Sequence, residues 1–286
     1  MKKLLGSAAA LALMTGVAQA APIINKTSDA ATLAGSILGA GITIVNATYE
    51  GSVDAAGAFT NGASVGSREF FDTGIVLTTG DADFAGESNT TTSAGFANGS
   101  TAFSSELASL ITQSTNDVAI LTIDFFSDST DVFFNFLFAS EEYNEFTNSG
   151  FNDVFGLFLN GVNIAVLPGS TTPVSINNVN GGNPFGDNAT NPGFFNNNDI
   201  DSGGPFFDIQ YDGFTDRFTA TGAVNPGLNT LVFAIADAGD AALDSAVFIE
   251  GGTLSSAPPT EISEPGFIGL FGLALLGLGA ATRRRR

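Results

Sequence analysis

The chain has 286 residues and a net charge of −20, with nine lysines and arginines against 29 aspartates and glutamates. It contains no cysteine, histidine or tryptophan. That composition excludes disulfide staples, histidine-based catalytic triads and the usual ligands of zinc, copper and haem iron, so any bound metal is a hard, oxygen-liganded cation.

The first twenty residues predict a cleaved export signal. Lys2 and Lys3 give a basic start, Leu4 to Val17 an apolar run, and Ala18-Gln19-Ala20 the small residues a signal peptidase reads. In the body, Asp29 to Gly39 (DAATLAGSILG) spaces Ala31, Leu33, Ile37 and Leu38 for a short helix, with Ser28 or Asp29 as cap and Gly39 as terminator. Ile42 to Gly51 and Gly74 to Ala82 read as strands, and Gly86 to Ser100 as a polar loop. Ser104 to Gln113 (SSELASLITQ), with Leu107, Leu110 and Ile111 on one face, predicts a second short helix.

From there the pattern is almost all β. Val118 to Phe126 and Val132 to Ala139 are long apolar strands joined by the polar turn Ser127 to Thr130. Val154 to Leu159 and Val162 to Leu167 flank Asn160-Gly161, a strong two-residue hairpin signal. Asn177 to Gly204 is a long Asn- and Gly-rich excursion, of a length that favours a functional or mobile loop. Strands are expected again at Phe206 to Tyr211, Arg217 to Thr221, Leu228 to Ile235 and Ala246 to Ile249. Many short strands and few helices predict an all-β, antiparallel, two-sheet sandwich of jelly-roll-like kind over 21–250, with two short peripheral helices.

A polar stalk follows over 251–262, and then a tail over 263–286. Its segment 266–282 (GFIGLFGLALLGLGAAT) carries no charge and precedes Arg283 to Arg286. As a helix it would span about 25 Å, enough for a short transmembrane helix with the arginines on the cytoplasmic side. The tail resembles the PEP-CTERM sorting signal of Gram-negative bacteria, its motif standing as Ser263-Glu264-Pro265 without the first proline. The resemblance implies an exosortase-type processing peptidase, a membrane-held precursor and a mature protein at the cell surface or released.

Outside the two terminal signals the cations are Lys26, Arg68 and Arg217, facing all but one of the chain's 29 acids. Such a surface repels nucleic acid and favours divalent or polybasic partners. The acids gather just past apolar strands. Glu141, Glu142 and Glu145 follow the strand ending at Ala139, and the same loop delivers Asn152 and Asp153. Asp237, Asp240 and Asp244 follow the strand ending at Ile235, and Asp199 and Asp201 form a third, smaller set. Three readings stand side by side: an oxygen-liganded cation site, with calcium the candidate; a hydrogen-bonded structural corner; and a catalytic carboxylate pair, Glu142 with Asp153. The last lacks the tryptophan platforms that stack on sugar rings.

The blocks FDTGIVLTTGDA, NDVAILTIDF, FNFLFASEEYNEFTNSGFNDVFGLFLNG and LVFAIADAGDAALDSAVFIE resemble the choice-of-anchor L domain from about Thr32 to Glu250. Its most specific signature is Phe138 to Tyr143 followed by Phe151-Asn152-Asp153, and Asp240, Asp244 and Ser245 belong to its closing block. The resemblance implies an exported bacterial protein with one of several C-terminal anchors, and brings no catalytic activity with it. The expected function is therefore a non-catalytic cell-surface or matrix protein, calcium-stabilised, and either adhesive towards neighbouring cells or associated with extracellular polysaccharide. The rival is an extracellular carbohydrate-active enzyme.

Overall fold

The computed structural model describes residues 20–259. The expected export signal up to residue 19 and the expected transmembrane segment 266–282 lie outside the described residues, and among the latter no helix is long and apolar enough to cross a membrane. The strands and α-helices, in chain order, are β1 (Ile23–Lys26), α1 (Ala30–Ile37), β2 (Ile42–Glu50), β3 (Ala56–Thr60), β4 (Gly74–Thr78), α2 (Ser105–Ala108), β5 (Thr115–Ser127), β6 (Asp131–Ser140), β7 (Val154–Leu159), β8 (Val162–Asn163), β9 (Val174–Ser175), β10 (Phe195–Asn197), β11 (Gly213–Thr215), β12 (Phe218–Ala223), β13 (Asn229–Ala238) and β14 (Ser245–Glu250).

They form two antiparallel sheets packed as a sandwich. One has eight strands in the order β1-β3-β4-β14-β6-β11-β10, with β12 also paired to β6; the other has six, β2-β5-β13-β7-β8, with β9 paired to β7. Alternate residues of each central strand meet between the sheets. Phe134, Phe136 and Phe138 of β6 face Phe155 and Leu157 of β7 and Leu231, Phe233 and Ile235 of β13, all buried. Rings from opposite sheets touch: Phe134 and Phe233 have centroids 5.5 Å apart, Phe136 and Phe155 5.3 Å. Such tilted pairs add to the area they bury, and supply the cohesion that disulfides give smaller exported domains.

The intervening residues are buried as well, because both outer faces are covered. Leu137 and Ala139 of β6 pack with Phe248, Phe70, Phe214, Ile209 and Tyr211 under the loops that cross the eight-stranded sheet. Val118, Ile120, Val154 and Phe158 lie under Leu107 of α2 on the six-stranded sheet. Double burial explains why β6 reads as an apolar run rather than an alternation.

Several expectations change in detail. α1 forms, with Asp29 accepting from the Thr32 amide at 3.0 Å, but it ends at Ile37. Asn160 and Gly161 both take positive φ, 50° and 83°, as their hairpin requires. The second helix shrinks to four residues: Leu107 is buried, whereas Leu110 and Ile111 pack only partly, leaving little to hold a longer helix. The strand expected over Val162 to Leu167 stops at Asn163, whose side chain accepts from the amides of Leu157 and Ala165 and turns the chain away. Phe206 to Tyr211 is not a strand. Its apolar residues Phe207, Ile209 and Tyr211 cap the outer sheet face instead. Strand β2 pairs with β5 through a register shift between Ile44 and Asn46, and β13 with β5 through one between Ile235 and Asp237.

Candidate functional site

Strand β6 ends at Ser140, β14 begins at Ser245, β13 ends at Ala238 and β7 begins at Val154, so four chain ends converge at one end of the sandwich. Asp153, fully enclosed there, joins them. Its Oδ2 accepts from Ser245 Oγ at 2.7 Å and its Oδ1 from the Ala238 amide at 2.9 Å, while Ser245 Oγ lies 2.8 Å from Ser140 Oγ. The backbone reaches across as well, with the Glu141 amide donating to the Asp244 carbonyl at 3.0 Å.

The loop 94–100 closes over this end because carboxylates hold its amides. The Phe96 amide donates to both oxygens of Asp244, the Asn98 and Gly99 amides to Asp117, and the Ala94 amide to Glu141 Oε2 at 3.2 Å. Asp117 can turn to them because the β5–β13 register shift puts it at φ 47°.

Eight carboxylates, Asp117, Glu141, Glu142, Asp153, Asp199, Asp212, Asp237 and Asp244, are all at least nine-tenths buried. Among the described residues the ion pairs join Lys26 to Asp54, Asp81 and Asp83, and Arg217 to Glu250, and none reaches this set. Burial first, then Asp212, pushes Glu141 up to about 10; burial first, then Asp153, pushes Glu142 up to about 9. Burial also raises Asp212 to about 8 and Asp244 and Asp153 to about 7, and burial together with Asp153 holds Asp237 well above the usual carboxylate range. Glu141 Oε1, Glu142 Oε2, Asp212 Oδ2 and both oxygens of Asp237 are buried with no hydrogen-bond partner.

Of the residues singled out in the sequence, Glu141, Glu142, Asp153, Asp237 and Asp244 are buried at this end, Asp240 is half-buried and Glu145 is exposed. Among the described residues, Glu145 enters a set of three carboxylates, with Asp199 and Asp212, each of which offers one oxygen within 4.8 Å of the other two. Asp199 belongs to the smaller set already noted; Asp212 and Asp117 were missed. Asp212 follows an apolar run, Phe206 to Tyr211, as Glu141 follows β6, so the same pattern would have found it.

The family model of the choice-of-anchor L domain matches residues 23–255, nearly all of the described chain. No curated protein and no solved structure matches.

Proposed function

The chain belongs to the choice-of-anchor L domain family, and from that membership we propose a non-catalytic exported protein that contacts extracellular polysaccharide and whose acidic end is neutralised by calcium. The domain suggests an exported, cell-surface anchored protein. The tail 263–286 would serve as a PEP-CTERM-like signal: segment 266–282 holds the precursor in the membrane until an exosortase-type peptidase cuts near Ser263 to Pro265 and passes the body on.

The observation that carries the non-catalytic reading is the enclosure of the acids. Glu142 and Asp153, the pair a glycosidase would use, are 2% and 1% exposed, and both oxygens of Asp153 accept hydrogen bonds from Ser245 and the Ala238 amide. A sugar ring needs its two carboxylates open across a cleft. Calcium is supported by the orphaned buried oxygens and by the pairing of Lys26 and Arg217 with acids outside this set. Contact with polysaccharide is supported by the exposed rings of Phe146, Phe185 and Phe206, which lie in loops rich in asparagine.

Co-sedimentation of the purified protein with extracellular polysaccharide from a Gram-negative bacterium, in calcium and in chelator, tests the reading. Calcium-dependent pelleting without release of reducing ends is expected. Release of reducing ends that Glu142→Gln abolishes would assign the protein to the carbohydrate-active enzymes instead.

A further inference from the structure

We propose that Glu145, Asp199 and Asp212, with the side-chain oxygen of Asn144, form a calcium site that clips the Asn-rich excursion to the end of β6. This deepens the reading of the acidic end as calcium-neutralised and rests on it.

The three carboxylates come from separate segments. Glu145 lies in the loop between β6 and β7, Asp199 just after β10, and Asp212 just before β11. Each offers an oxygen within 4.8 Å of the other two. Two oxygens on opposite sides of a calcium ion, at about 2.4 Å from it, are about 4.8 Å apart, so the set is the size one ion would span. All donors are oxygens, as a hard cation requires, and exposed Glu145 leaves an entry path from solvent.

A second observation points to the same place. Asp212 is fully buried; its Oδ1 accepts from Asn89 Nδ2 at 2.6 Å, but its Oδ2 meets no partner. Asn144 is 3% exposed, and its Nδ2 donates to Asp199 Oδ2 at 3.2 Å, to Asn197 Oδ1 at 2.8 Å and to Ser202 Oγ at 3.2 Å. The Oδ1 of the same amide is buried with no partner. Two enclosed acceptors without a donor, next to a third and fourth acceptor, make a place for a cation rather than for another acid.

The surrounding bonds hold the ligands in place. Asp199 Oδ1 accepts from the Asp201 amide at 2.8 Å, the Asn198 amide donates to the Asp212 carbonyl at 2.8 Å, and Asn183 donates to the Glu145 carbonyl. An ion here would tie the second arm of the excursion, at Asp199, and the approach to β11, at Asp212, to the β6–β7 loop, so the neighbouring surface carrying Phe185 and Phe206 would be ordered by calcium.

The test uses the purified full chain in detergent, with calcium chloride titrated calorimetrically and terbium as a luminescent probe. The chain has no tryptophan, and two of its three tyrosines, Tyr143 and Tyr211, adjoin Asn144 and Asp212. Terbium emission sensitised by tyrosine and displaced by calcium is expected. Glu145→Gln, an exposed change that leaves folding intact, should weaken calcium binding by about tenfold or more, and Asp212→Asn likewise, through loss of ligand charge. Asp187→Asn, an exposed acid of the same excursion outside the set, should leave it unchanged. Absence of calcium heat and terbium emission would overturn the site. Calcium binding that survives both ligand variants would also overturn it, while leaving the broader calcium reading of the acidic end in place. Equal weakening by Asp187→Asn would reduce the effect to a diffuse polyanion and overturn it too.

Discussion

Ser245 Oγ donates to Asp153 Oδ2 at 2.7 Å, and that bond joins the first residue of a strand in one sheet to the residue preceding a strand in the other. Ser245→Ala keeps the fold's shape but leaves a buried carboxylate oxygen without its donor. A cost of about 2 kcal/mol is expected, lowering Tm by roughly 4 to 8 °C in a domain of this size. A thermal melt of the variant against the parent chain checks it.

Gly80 lies where a Cβ would fall 1.5 Å from Asp244 Oδ2. That carboxylate cannot swing away freely, because it is buried and accepts the Phe96 amide through both oxygens. Gly80→Ala should therefore destabilise by about 3 kcal/mol or more and expose the loop 94–100 to proteolysis. Gly35→Ala makes the contrast. Nothing lies within 4 Å of a Cβ there, in the exposed face of α1, and the change should stabilise by about 0.5 to 1 kcal/mol. Urea denaturation of both variants reads the opposite signs.

Stability should fall as the solution becomes more alkaline when no cation is supplied. Asp153 and Asp244 are raised to about 7 and Asp237 well above the usual range, burial being the first cause in each. A carboxyl raised in the folded state keeps its proton where the unfolded chain has already lost it, so protons favour folding across that window. The loss begins near the unfolded value, about 4, and for Asp153 and Asp244 is complete near 7. Melts in chelator should therefore give a higher midpoint at pH 5 than at pH 8, and added calcium should flatten the slope because its ligands must be ionised. A chelated protein that gains stability over this range would contradict the enclosure of these acids as neutral groups.

Phe136→Ala removes a ring that touches Phe134 and Phe218 on its own sheet and Phe155 on the other. Both the transfer of the ring and the void it leaves count, for about 3 to 5 kcal/mol. Phe103, 66% exposed, should accept serine within about 0.5 kcal/mol. Denaturation midpoints of the two variants make the comparison.

Intact mass of the protein recovered from the outer surface checks the processing proposal. A C-terminus near Pro265 is expected, and a mass that still includes Arg286 would contradict cleavage of the tail.

The strands easiest to foresee were those whose pattern has one physical meaning. Asn160-Gly161 takes the two positive φ values a tight hairpin needs, and the long apolar runs of β5 and β6 became central strands. Short strands such as β3 and β11 were missed because distant partners, β1 with β4 and β6 with β10, pin them down rather than any apolar repeat of their own. Phe206 to Tyr211 misled for a related reason: an apolar run that covers a sheet looks, in sequence, like one that belongs to it. The gathering of acids past strand ends was visible, but the partnership of Glu145 with Asp199 and Asp212 depends on two loops far apart in the chain meeting at one sheet end.

The outermost strands have a consequence for how copies behave beside one another. In the eight-stranded sheet the borders are β1, four residues long and ending in Lys26, β10, three residues long, and β12, six residues long and paired on one side to β6. In the six-stranded sheet they are β8, of two residues, and β2, nine residues long but broken in register between Ile44 and Asn46. Apart from β12, every border among the described residues is short or broken in register. Lateral strand addition, the usual route from crowded β-proteins to fibres, therefore has little to start from at β1, β2, β8 and β10, and β12 is the border where a second copy would add.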